Sequence, residues 1–341
     1  VEKLTIKQVA EAAGVSVMTV SRVLNNRPDV STATRKRIQQ IIEELGYAPN
    51  AMASSLRQGR SNTIGVVATG IEYFGPSRTI VGIEQEAEDL GYSLLLDLLH
   101  HPESDHGEDV LESMLSRQVD GIVWAVPEIG SNREWLCQKV RGIPTPVIFL
   151  SMQPREGSMM SAVDNYAGGR LATEHLLSQG NRQLGIIAGP MTWWEAQQRA
   201  QGWRETLQDA GIEPQEALWA EGDWTAASGE AGLFRLLDQW PTLDAVFASN
   251  DQMALGALQA ARKVGRRVPD DLAVVGFDDI PESAYFFPPL TTIRQDLAQV
   301  GKQAILLLDR VLEARRNEEE VEPEVLWVTP KLIVRESSPL R

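Results

Sequence analysis

Beyond residue 60 the chain alternates short apolar runs with amphipathic stretches, and that alternation restricts the fold more than any other feature. The runs TIGVVAT, YSLLLDLL, GIVWAV, PVIFLS, QLGIIAG, AVFASN and LAVVGFDD have the length and composition of buried strands. Helical patterns lie between them, at residues 80–90, 109–118, 168–179, 195–210 and 251–264. Parallel strands need a crossover, and helical stretches of about 10–15 residues supply it. The expectation is parallel sheets in a doubly wound α/β fold, with ligands held beyond the carboxyl ends of the strands. Two halves, about 61–162 and 163–289, share this layout, and LTTIRQDLAQVGKQAILLLDRVLE then starts as a strand and becomes a helix.

The first 60 residues differ in kind. They hold nine Lys/Arg and five acids, a net charge of +4; the whole chain carries −15, so the remainder carries −19. A basic head on an acidic body fits a head that meets a polyanion while the body is repelled from it. Thr5 is placed to cap a helix whose inner face is Ile6, Val9, Ala10 and Ala13. Gly14-Val15-Ser16 breaks it, and a second helix runs from Val17 to about residue 25 with Val20, Val23 and Leu24 inward. A third follows the cap region 30–34, turns Ile38, Ile41, Ile42 and Leu45 inward and stops at Gly46. The first two have helix-turn-helix spacing. In a major groove the second helix would offer Val17, Met18 and Arg22 to base edges: Arg22 to a guanine, the apolar pair to a thymine methyl. Thr19, Ser21, Asn25 and Thr34 suit phosphate oxygens. The alternative is a three-helix module for protein contacts.

Between head and body lies PNAMASSLRQGR, residues 49–60. Asn50 is a plausible cap, Ala51, Met52, Ala53, Leu56 and Arg57 favour helix, and Gly59 stops it. Two turns fall short of the roughly 12–15 residues an isolated helix needs. This segment is therefore expected to fold only with support, and to be disordered without DNA.

The runs TIKQVAEAAGVSVMTVSRVLNN and VSTATRKRIQQIIEELGYAPNAMASSLR resemble the head of the lactose/galactose repressor (LacI/GalR) family. The likeness continues through DNYAGG, QQRAQGW, FASNDQMALGA, VGFDD and PPLTTIRQD. It implies an all-α helix-turn-helix head (1–48), a hinge helix (49–60) and a two-lobed, periplasmic-binding-protein-like α/β body (61–341). Lobe 1 would take about 61–162 and 291–322, and lobe 2 about 163–290 and 323–341. Val17, Met18 and Arg22 would read an operator half-site. Paired hinge helices would enter the minor groove, with Ala53 in contact and Leu56 wedged between base pairs; leucine packing on the body is the alternative.

Candidate effector residues stand at strand ends: Asp164, Trp193, Trp194, Trp224, Asn250, Asp278 and Gln295, with Arg199 one turn into a helix. Carboxylate, amide and guanidinium groups bind hydroxyls, and an indole face covers the apolar side of a sugar ring. The resemblance assigns effector contact to Asp164, Arg199, Asn250, Asp278 and Gln295, and sugar packing to Trp224 in EGDWTAASG. It places Tyr73 and Phe74, within YFGPS, on the cleft from the first half. Trp193 and Trp194 depart from lactose-responsive members, which have small residues there; an extra aromatic platform suggests a glycoside or a second sugar unit. Core packing is the alternative for each tryptophan, and helix capping for Asp251 and Asp279.

His100, His101 and His106, with Glu103 and Asp105, lack rigid ligand spacing and read as a solvated loop. No GxGxxG, GxxxxGK[ST] or GxSxG pattern is present, so neither a cofactor nor an enzyme is expected. The lone Cys137 reads as a buried apolar residue and fits a reducing cytoplasm. Without a signal-like start or an apolar run of ~18 residues, neither export nor a membrane span is expected. No leucine-repeat helix follows VLWVTPKLIVRE, so a homodimer on a palindromic operator is expected. The expected function is a bacterial cytoplasmic repressor responding to a β-galactoside or β-glucoside. Sugar would change the angle between lobes, separate the hinge segments and release DNA. A sugar-binding protein without a regulatory role, and a regulator responding to another sugar class, are the alternatives.

Overall fold

A computed structural model describes residues 4–24, 27–47, 60–100, 107–130, 143–150 and 152–340. Asn25, the hinge stretch with Ala53 and Leu56, residues 101–106 and Cys137 lie outside the described residues. The chain divides into two compact units, Val1–Ser61 and Asn62–Arg341.

The first unit holds α1 (Ile6–Ala13), α2 (Val17–Leu24) and α3 (Thr32–Leu45). Gln8 Oε1 reaches back to accept the Thr5 backbone N–H at 2.8 Å, and Ser31 Oγ accepts from Thr34 N at 3.3 Å, so side chains satisfy the exposed helix starts. Gly14 and Gly46 end α1 and α3 in the left-handed conformation. Val9, Ala10, Ala13, Val20, Val23 and Ile38 form the core, with Ile41 and Ile42 packed against it. Leu45, expected inward, is exposed, and Tyr47 joins the core.

The second unit is built on two six-stranded sheets. The first has the order β11–β5–β4–β3–β1–β2. These are Val325–Val328 (β11), Met160–Val163 (β5), Val147–Leu150 (β4), Gly121–Ala125 (β3), Thr63–Ala68 (β1) and Ser93–Leu98 (β2). The second has the order β12–β10–β9–β8–β6–β7: Lys331–Ile333, Thr291–Arg294, Ala273–Asp278, Ala245–Ala248, Leu184–Ala188 and Trp219–Glu221. Every pairing is parallel except β10 with β12, an antiparallel edge. The expected strands form, and β5 and β7, at four and three residues, add to them.

Helices cover both sheets: α4 (Phe74–Asp89) and α5 (Gly107–Ser116) belong to the first, α6 (Asn165–Ser178), α7 (Trp194–Asp209), α8 (Ala226–Gln239) and α9 (Asp251–Lys263) to the second. The last, α10 (Leu297–Arg316), packs back on the first sheet through Val300, Ala304, Ile305 and Leu308.

The expected lobe limits shift at two points. Thr291–Arg294 pairs with β9 and so belongs to the second lobe, whereas Val325–Val328 pairs with β5 and belongs to the first. The crossings therefore follow strand ends, after β5, β10 and β11, because each strand stays paired in its own sheet until it is complete. Gly168-Gly169 also finds its reason here. A Cβ on Gly169 would lie 2.2 Å from the Arg199 carbonyl oxygen, so glycine lets α6 and α7 approach backbone to backbone. That approach brings Asn165 and Arg199 together.

Candidate functional site

The head presents one side of α2 to solvent. Val17 and Met18 are exposed, Met18 to 65%, while Val20 and Val23 on the opposite side are buried. Arg22 is exposed and pairs with Asp29 at 3.4 Å, a surface contact of little strength that another anion can replace. The Thr19 and Thr34 hydroxyls bond to those of Ser16 at 2.9 Å and Ser31 at 2.8 Å. Ser21 is half-buried.

The body holds a cleft of about 1060 Å³, counting its solvent-open mouth. Its walls are the carboxyl ends of strands of both sheets, where doubly wound folds place ligands. The first lobe contributes Thr69, Tyr73, Phe74, Pro127 and Val163, among others, and the second Trp193, Trp194, Arg199, Trp224, Asn250 and Asp278. Gln295, at the β10 crossing, completes the polar set.

Asp164 is the exception among the expected effector residues. It caps α6, accepting from Ala167 N at 2.8 Å, and does not line the cleft. Its neighbour Asn165 does, because the first turn of the helix rotates that side chain inward. Asp251 and Asp279 also lie outside the lining. Asp251 is fully buried and accepts from Ile280 N and Thr292 Oγ1, and Asp279 pairs with Arg294 and Arg335. Sequence reasoning passed over Asn165, Thr69, Thr79, Glu195 and Gln252, all of which line the cleft. Asn165, Thr69 and Gln252 follow strand ends, so the rule that located Asp278 would have located them.

At the centre Arg199 is buried against aromatic faces, its guanidinium carbon 3.8 Å from the Phe277 ring centre and 5.6 Å from that of Trp224. It donates to Asn165 Oδ1 at 2.8 Å and to the Ser249 carbonyl at 2.5 Å. Asp278 faces it at 3.8 Å and accepts from Gln295 Nε2 at 2.5 Å. Burial pushes the Asp278 carboxyl up to about 6, against the opposing pull of Arg199 and Gln295. Burial likewise lowers Arg199, and burial together with the Asp278 charge raises Asp251 well above the usual carboxylate range.

Two of these residues hold backbones that glycine would adopt more cheaply: Trp224 with φ 72° and Asp278 with φ 118°. Such conformations cost about 1–3 kcal/mol each and persist where the surroundings enforce them. Asn250 Nδ2 donates to the Trp224 carbonyl at 3.0 Å, and Trp193 meets the Trp224 ring edge-on at 6.0 Å. Among the described residues the buried Trp224 indole N–H has no hydrogen-bond partner, which leaves a donor uncommitted on a cleft-lining residue.

Comparison with known proteins decides the family. Residues 5–50 match the model for bacterial regulatory proteins of the lacI family, and residues 173–338 match a periplasmic binding protein-like domain. The lactose operon repressor of Escherichia coli (strain K12) is 32% identical over 315 residues, 92% of this chain and 86% of that protein. The chain belongs to the lacI family of bacterial regulatory proteins. A second member, the HTH-type transcriptional repressor PurR of Edwardsiella ictaluri (strain 93-146), is 35% identical over 98% of this chain and 96% of its own length. Among solved lacI-family structures, the Lac repressor dimer bound to operator and the anti-inducer ONPF superimposes with TM-score 0.88 at 31% identity, covering 99% of this chain and all of that one. A complex of the transcriptional regulator CelR with cellobiose gives 0.72 at 33%, covering 98% of this chain and all of that one. This chain is accordingly a DNA-binding transcriptional repressor with a ligand-binding body, and not an enzyme. No helix among its described residues is long and apolar enough to cross a membrane.

Proposed function

We propose that this repressor responds to a sugar or glycoside, a β-glucoside or β-galactoside, bound between its two lobes. The observation that carries this reading is the cluster Arg199–Asp278–Gln295 beside Trp224. A cation, a carboxylate and an amide can exchange hydrogen bonds with adjacent hydroxyls, while the indole covers the apolar face of the ring. The CelR relative is described in complex with cellobiose, in line with this class; the similarity to PurR makes a different ligand the competing reading.

On the DNA side Val17, Met18 and Arg22 read base edges, Thr19, Ser21, Asn25 and Thr34 hold the phosphate backbone, and the hinge residues Ala53 and Leu56 enter the minor groove. The repressor works as a cytoplasmic homodimer on a palindromic operator. Large exposed apolar side chains on the body, Leu96, Tyr285 and Phe287 (the last at 92%), call for cover by a second copy. Sugar favours one lobe arrangement over the other, and that difference weakens the paired hinges on DNA. Couplings of this kind are worth about 1–3 kcal/mol.

Gel retardation on palindromic candidate operators, with a panel of sugars, purines and amino acids added, tests the whole scheme. Salt-sensitive retardation released by a β-glycoside is expected. Release only by a purine or an amino acid would remove the sugar assignment while leaving the repressor intact.

A further inference from the structure

We propose that Trp194, braced by Trp327, forms a subsite for a second ring at the rim of the cleft, so that the effector is a two-ring glycoside, a disaccharide or an aryl glycoside. The inference rests on the sugar reading above and deepens it.

The adjacent tryptophans that open α7 turn to different partners. Trp193 meets Trp224 at 6.0 Å and 74°, within the second lobe. Trp194 instead lies 6.1 Å from Trp327 at 35°, and Trp327 sits on β11, in the sheet of the first lobe. Trp194 thus lines the cleft while its ring reaches across to the other lobe. Trp327 is not among the lining residues; it stands opposite Ala162, itself part of the cleft wall, one residue before the end of its strand.

Along β11 the side chains alternate. Leu326 and Val328 pack on the core beneath α10, and Val325 on the core of the other face. Trp327 remains 45% exposed, with Trp194 as its aromatic partner. An exposed edge-strand tryptophan adds little to the core of its own sheet. Here it limits where the Trp194 indole can stand.

The cleft then divides by chemistry. Arg199, Asp278 and Gln295 supply hydroxyl-reading groups beside Trp224, enough for one ring. Trp194 offers a second aromatic face, partnered with Trp327 rather than with Trp224, so recognition there depends on stacking rather than on particular hydroxyls. A pyranose and a phenyl ring both satisfy it. Trp327 is a positioning residue: it contributes no cleft surface and acts through Trp194.

Calorimetry on the full chain separates the possibilities, using cellobiose and lactose, p-nitrophenyl β-glucoside and β-galactoside, and the monosaccharides glucose and galactose. The two-ring probes of the preferred sugar are expected to bind about tenfold more tightly than its monosaccharide, the scale of one added aromatic stack. Trp327→Ala should remove most of that gap while monosaccharide affinity stays within about twofold, and Trp327→Phe should keep most of it. Trp194→Ala should remove the gap as well, and melting curves check that each variant is folded. Equal wild-type affinity for one-ring and two-ring probes, or a Trp327→Ala loss shared equally by both, overturns the subsite and leaves the sugar reading standing. Binding of no sugar by the wild type overturns both.

Discussion

Arg199 and Asp278 face each other at 3.8 Å, both buried, without closing a hydrogen bond. Each is held by other groups: the guanidinium by Asn165 and the Ser249 carbonyl, the carboxylate by Gln295. A buried pair kept slightly apart retains capacity for a third group, and a ligand hydroxyl that accepts from one and donates to the other fits that need. The lobes need not supply that group themselves.

Replacing Asp278 by Asn should therefore cost effector affinity about 1.5–3 kcal/mol, the worth of a hydrogen bond to a charged group. Operator retardation without sugar should persist, and sugar should no longer release the DNA. Asp278→Ala should in addition lower the melting temperature, since it leaves the Arg199 charge buried without its counter-ion. Calorimetry and retardation on the same preparations separate the two effects.

The pH dependence has a defined sign. The Asp278 carboxyl is raised to about 6 in the fold from an ordinary value near 3.8. Between these limits the native state binds the extra proton, so this group favours folding at low pH and that contribution is lost as pH rises through about 6. Effector binding runs the other way, because the hydroxyl contact uses the ionised carboxylate. Affinity should rise between about pH 5 and 7, and the rise should flatten in Asp278→Asn. A calorimetric series at constant ionic strength reads both.

Gly189 follows β6, and a Cβ there would lie 2.1 Å from Cη2 of Trp224. Gly189→Ala should push the indole off its seat, lowering sugar affinity about tenfold and costing roughly 1–3 kcal/mol of stability. Tryptophan fluorescence with sugar titration, alongside a denaturant melt, measures both quantities.

On the head, Arg22→Ala should weaken operator binding by about 1–3 kcal/mol and relax selectivity at one guanine, while sugar affinity stays unchanged. Met18→Ala should act at a neighbouring base pair by loss of apolar contact. Leu56→Ala should reduce affinity by removing the wedge that bends the DNA. Retardation against a set of single-base operator variants distinguishes the three.

Much of this was legible in the amino-acid sequence. Alternation of apolar runs and helical stretches foretold parallel sheets, because a parallel connection has few other solutions, and the helix-turn-helix followed from Gly14 and the spacing of apolar residues around it. The strand-end rule pointed to Trp193, Trp224, Asn250, Asp278 and Gln295 because in this fold the cleft is made of strand ends.

Other assignments belong to tertiary structure alone. Asp164 and Asn165 are adjacent polar residues at one strand end, and only the rotation of α6 makes the first a cap and the second a cleft residue. Asp251 follows β8 and Asp278 ends β9, yet the first is consumed by Ile280 and Thr292 while the second faces Arg199. The lobe to which β10 and β11 belong depends on which neighbour each pairs with. Trp327 meets Trp194 only because the chain crosses between lobes after β5, and again after β10, before β11 forms. Local pattern thus determined which segments fold and where polar groups gather. Long-range pairing decided which of those groups face the cleft, since that direction is set by neighbours distant in the sequence.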